Sequence, residues 1–223
     1  MGKFIELTAA DGHKFAAFVA QPAGKPRGGV VVIPEIFGVN SHIQQVTDGF
    51  AADGYVAVAP AMFDRVQRNY DTGYSQPEIQ AGVAIMQQLK NDQSVMDVDA
   101  AIAEAAKGGK VGIVGYCFGG TIAWLAASRA KGLACSVPYY GGGMHGLIGE
   151  KPKVPVMCNF GETDHSPTLA QAKEIAAAHP EITAHYYANA GHGFNCDQRG
   201  SWNADAAKLA RSRTIEFFRK HLG

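Results

Sequence analysis

The chain has 223 residues, of which 47% are hydrophobic and 18% charged, a balance that suits one folded domain (1–223) with a substantial core and excludes an intrinsically disordered segment. Its 20 basic and 20 acidic residues cancel to a formal net charge of zero, so the basic excess that holds nucleic acid is missing and a small-molecule partner is expected. The longest apolar runs, 30–33 and 154–157, are far too short to cross a bilayer, so no membrane partner is expected either.

The first residues, MGKFIELTAADGHKF, contain no apolar stretch of the length a secretory leader needs, and acidic residues come early. A cytoplasmic protein is therefore expected. Residues 3–8 and 14–20 flank Asp11-Gly12 and predict a hairpin. Apolar, β-branched runs follow at 29–33, 56–59, 111–114, 134–138, 154–160 and 182–188, as expected of parallel strands buried on both faces. Helical patterns lie between them at 41–52, 77–89, 94–106, 121–128, 169–179 and 204–222. Ser94 with Asp97 three residues on has the form of a capping box. In the last helix, Ala207, Leu209, Ile215, Phe217 and Phe218 predict the apolar face. The four cysteines, Cys117, Cys135, Cys158 and Cys196, show no CxxC spacing, and Cys135 and Cys158 fall inside predicted strands, a pattern of reduced thiols. The sum is an α/β fold: an eight-stranded, mostly parallel sheet flanked by helices on both faces, with function sought in the loops after the strands.

One such loop is Gly115-Tyr116-Cys117-Phe118-Gly119-Gly120, between the strand-like 110–114 and a helical run. A glycine two residues either side of a nucleophile makes room for a sharp strand-to-helix turn, and the helix N-terminus favours a thiolate. This resembles the nucleophile elbow of α/β-hydrolases; the plainer alternative is a buried cysteine in a glycine-rich turn. The next strand-end loops offer an acid and a base in the order such enzymes use, Asp164 in Gly161-Glu162-Thr163-Asp164 and His192 in Gly191-His192-Gly193. Glu162 is an alternative acid. His42, His145, His165, His179, His185 and His221 lack this context and are read as core or surface histidines. The loop Pro34-Glu35-Ile36-Phe37-Gly38 follows another strand and corresponds to the loop that donates an oxyanion-hole N–H in α/β-hydrolases, which makes Ile36 and Phe118 the expected donors. Glu35 reads either as a solvated loop acid or as a group that regulates the thiol's protonation. No His/Asp/Glu cluster has metal-ligand spacing, so no metal is expected.

These motifs, with Tyr139-Tyr140-Gly141 and Gly191-His192-Gly193-Phe194, resemble the dienelactone hydrolases (carboxymethylenebutenolidases) almost from end to end. The resemblance implies an α/β-hydrolase fold and a hydrolase cleaving an ester or lactone through a cysteine acyl-thioester. It further implies a Cys117–His192–Asp164 triad, no cofactor, and a Glu35 that holds the resting thiol until substrate binds. It also implies two arginines gripping a substrate carboxylate. One of those positions is Cys196 here and the other falls near Ile79, with Met86 where an aromatic is expected. Arg65, Arg68 and Arg199 lie in neighbouring loops. The expected substrate-binding set is Phe37, Arg65, Arg199 and Trp202, with Tyr74 and Tyr139 as further aromatic candidates, and dienelactone itself is disfavoured as the substrate. A monomer is expected. The competing readings are a broad carboxylesterase or thioesterase and a non-catalytic binding scaffold.

Overall fold

The computed structural model describes residues 2–223. Two antiparallel strands, β1 (Lys3–Thr8) and β2 (Lys14–Ala20), lead into β3 (Gly28–Ile33), α1 (Ser41–Ala52) and β4 (Tyr55–Pro60). Helices α2 (Gln76–Met86) and α3 (Asn91–Ala105) precede β5 (Val111–Tyr116), α4 (Phe118–Arg129) and β6 (Leu133–Tyr139). The chain ends with β7 (Met157–Gly161), α5 (Leu169–Ala178), β8 (Thr183–Tyr187) and α6 (Ala204–Leu222). The sheet runs β1-β2-β4-β3-β5-β6-β7-β8, with antiparallel pairing only at β1–β2 and β2–β4. This is the eight-stranded, mostly parallel arrangement of the α/β-hydrolase fold that the alternating pattern predicts.

The central strands are buried on both faces, which is why they read as unbroken apolar runs. Strand β3 divides its side chains by pleat. Val30 and Val32 face Ile43 and Phe50 of α1 and Phe218 of α6, while Val31 and Ile33 face Val98 and Ile102 of α3 and Ile122 of α4. A third cluster around Trp124, Phe160 and Ile175 packs α4 and α5 over β7. Burying each of these large side chains stabilises the fold by roughly 1.5–3 kcal/mol.

Four local expectations are corrected. Helix α3 starts at Asn91, not at Ser94: Ser94 is buried inside it and donates its N–H to the Lys90 carbonyl, so the Ser94/Asp97 pair is not a capping box. Helix α2 stops at Met86 rather than 89, and β7 starts at Met157 rather than 154, Pro155 having no N–H to give a ladder. In α6 the buried stripe is Ala206, Ala210, Thr214, Phe218 and Leu222, and Leu209 is exposed. The 3.6-residue period was right, but two residues with little or no hydrophobic bulk, Ala206 and Thr214, mark the true face better than Leu209 does.

Candidate active site

The turn from β5 into α4 is made by Cys117, whose φ of 55° and ψ of −114° lie where an L-residue is strained. The two elbow glycines are required sterically. A Cβ at Gly115 would sit 1.9 Å from the Gly119 carbonyl oxygen, and one at Gly119 would sit 2.3 Å from that of Ile33. Cys117 is thus lifted clear of the sheet edge, at the N-terminus of α4, where Phe118 opens the helix with an N–H that has no partner within it.

The loops after β7 and β8 are tied together, Thr163 donating its N–H to the Ala190 carbonyl. They bring Asp164 and His192 to the same turn. His192 Nε2 lies 2.9 Å from Cys117 Sγ, and His192 Nδ1 donates to both Asp164 carboxylate oxygens at 3.1 Å. The Asp164 carboxylate is buried and also accepts the Ser166 N–H at 2.7 Å. Glu162, the alternative acid, points to solvent. Burial opposes charge on His192, but the neighbouring Cys117 and the hydrogen bond to Asp164 outweigh it and lift the imidazole to about 10. The arrangement sets a protonated imidazole against the Cys117 sulfur with a buried carboxylate behind it.

Glu35 follows β3 and is 3% exposed. It is not joined to the thiol. Its carboxylate accepts from Arg199 Nη1 at 2.9 Å, and the Arg199 guanidinium lies 5.4 Å from the centre of the Phe37 ring. Burial lowers the pKa of Arg199, but the nearby Glu35 and Cys117 charges reverse this and raise it.

Cys117 and His192 open on a cavity of about 630 Å³, whereas Asp164 and Glu35 are buried behind its lining. Of the expected set, Cys117, His192, Ile36, Phe118, Phe37 and Arg199 line it. Arg65 does not: its guanidinium is closed over Asp97 by two 2.7 Å hydrogen bonds and reaches Asp11 at 2.8 Å. Arg68 lies on the surface beside Glu6. Trp202 is 49% exposed and outside the cavity, Tyr74 stands behind Phe37 at 4.6 Å between ring centres, and Tyr139 is in the core with its hydroxyl on Thr214.

Sequence reasoning passed over four contributors. His165, Thr121 and Ser166 line the cavity, and their only signal was adjacency to Asp164 or to the elbow. Gly82 of α2 is buried against the loop after β3, where a Cβ would meet the Ile36 carbonyl oxygen at 2.3 Å. Spacing along the chain also hid one group of metal-type donors. His42, Cys196 and Asp197 bring their ligand atoms within 4.8 Å of one another. His42 Nδ1 and Asp197 pair at 2.9 Å and Cys196 Sγ donates to the Tyr74 hydroxyl, so hydrogen bonds already satisfy the group. Burial, then Glu35, pushes the Cys196 thiol up to about 11.

The dienelactone hydrolase family matches residues 15–222. Carboxymethylenebutenolidases of Pseudomonas putida and Pseudomonas knackmussii are each 35% identical to the chain, covering 96% of it and 94% of their own length. A Klebsiella pneumoniae protein assigned as a dienelactone hydrolase has a crystal structure that superposes with a TM-score of 0.82 at 26% identity, over 97% of this chain and 98% of that one. No helix among the described residues is long and apolar enough to cross a membrane.

Proposed function

Because the chain belongs to the dienelactone hydrolase family, we propose that it hydrolyses a carboxylic ester or lactone with Cys117 as nucleophile, His192 as acid and base, and Asp164 as the group that orients His192. The observation that carries this reading is the unbroken contact from Asp164 through His192 to Cys117, at 3.1 Å and then 2.9 Å.

In the proposed reaction the Cys117 thiolate attacks the substrate carbonyl, forming a C–S bond while the carbonyl oxygen becomes an oxyanion. The N–H groups of Ile36 and Phe118 receive it, each such donor contributing on the order of 3 kcal/mol to the transition state. As the intermediate collapses, the C–O bond of the ester breaks and His192 gives its proton to the departing oxygen. A water, deprotonated by His192, then attacks the acyl-thioester and releases the acid and the thiolate. A thiolate is a better leaving group than an alkoxide but a weaker nucleophile, so activated esters and enol lactones are the favoured substrates.

Glu35 is assigned a regulatory part. Its charge beside the cavity opposes a second negative charge on sulfur, and the ion pair with Arg199 relieves that opposition. The enzyme is read as one domain acting as a cytoplasmic monomer; one chain supplies every residue of the site.

Turnover of p-nitrophenyl acetate and of an enol lactone tests the assignment. Cys117→Ala should abolish both while thermal unfolding stays cooperative, and full activity in that variant would refute it.

A further inference from the structure

Beyond the identity of the nucleophile, the cavity has a wall with a definite chemistry. Ile79, Val83 and Met86 fall on one face of α2 at helical spacing, and Leu89 continues the line past the helix end. All four are partly buried against the core, and their remaining surface lines the cavity. Gly82, on the same face, packs on the Ile36 carbonyl, so the wall begins beside the oxyanion loop. Phe118 and Ile122 of α4 complete it.

The same cavity is poor in free cations. Among the described residues its lining holds no lysine and one arginine, Arg199, which is already engaged by the buried Glu35. Of its two histidines, His192 is bound between Cys117 and Asp164, and the His165 side chain is 83% exposed, where water screens any charge it carries. A substrate carboxylate pressed against α2 would lose its water and gain no counter-charge.

We infer that the substrate carries an uncharged, apolar group, of alkyl or aryl type, that lodges on the α2 wall, and that an anionic group at that place is rejected. This rests on the reading of the site as an ester or lactone hydrolase. Ile79, Val83 and Met86 are then the residues that determine specificity.

The test uses three p-nitrophenyl esters: acetate, hexanoate and the mono-ester of adipic acid, which matches hexanoate but ends in a carboxylate. For the unmodified protein, kcat/KM should rise by about threefold to fourfold per methylene placed on the wall, and hexanoate should exceed the adipate ester at least about thirtyfold. Val83→Arg should reduce the hexanoate-to-adipate ratio by at least about tenfold. Met86→Arg provides the same readout should the first variant fold poorly, and the ratio is insensitive to a general loss of active protein. Equal rates for acetate and hexanoate, or an adipate rate matching hexanoate, would overturn the inference. Binding of hexanamide and adipamic acid to the Cys117→Ala protein separates the two possible failures. If no ester is turned over yet hexanamide still binds more tightly, the chemistry is wrong and the wall stands. If adipamic acid binds as well or better, the wall is wrong whatever the chemistry.

Discussion

Arg199 Nη1 donates to Glu35 Oε1 at 2.9 Å, joining residues 164 positions apart and giving a nearly inaccessible carboxylate its counter-charge. Removing the guanidinium leaves that carboxylate buried and unpaired, which costs about 3–5 kcal/mol. Arg199→Met is therefore expected to lower unfolding free energy by that order at pH 7.5. Urea denaturation of the two proteins reads the difference. Glu35→Gln combined with Arg199→Met should recover part of the loss, and no recovery would mean that packing, not charge, is what Arg199 supplies.

His192 is raised from 6.5 to about 10 in the folded protein. The protonated form is thus the one that folding favours. Its contribution is complete below about pH 6.5 and is lost as pH rises through about 10. Stability should decline over that window, and the decline should flatten in Cys117→Ala, which deletes the leading cause of the rise. The alkaline limb of kcat/KM should fall in the same region, since His192 must hold a proton for the departing oxygen. A limb near neutral pH would contradict the imidazolium.

The elbow glycines predict a contrast within one residue type. Gly119→Ala drives a Cβ to 2.3 Å from the Ile33 carbonyl oxygen and should cost about 1–3 kcal/mol or more, with activity lost alongside. Gly146→Ala meets nothing within 4 Å and should leave stability within about 0.5 kcal/mol and kcat/KM unchanged. Thermal denaturation of both variants, with p-nitrophenyl acetate assays, checks the pair.

Arg65 closes over Asp97, which is 1% exposed. Arg65→Met should therefore destabilise by about 3–5 kcal/mol through the stranded carboxylate. Because Arg65 lies outside the cavity, kcat/KM measured well below the melting temperature should stay within about twofold. A selective rise in KM for anionic substrates would return Arg65 to the site.

What could be read in the sequence was local. The strand runs and the Gly115–Cys117–Gly119 spacing record contacts made within a few residues, and strand order then carried Asp164 and His192 to the same edge. The buried state of Asp164 and the solvent-facing state of Glu162 separate two acids that the sequence left open. The partner of Glu35 was not legible, because the ion pair is closed by the tertiary path of the loop that follows His192. Arg65 and Arg199 look alike as loop arginines; only the fold assigns one to Asp97 and the other to the cavity. Ser94 misled for a related reason: Asp97, which mimicked a capping partner, is committed to Arg65.

The α2 segment lies between β4 and β5 and contributes none of the three side chains proposed for the chemistry. Substitutions on its inner face can accumulate without disturbing the elbow, the acid or the base, provided Gly82 is kept. On the proposed reading, the α2 part of the substrate wall and the three bond-breaking side chains are encoded in separate stretches of the gene. A lineage can therefore trade one ester for another by drifting through a single helix, and laboratory evolution aimed at residues 76–89 should reach new substrates sooner than the same effort spread over the whole chain.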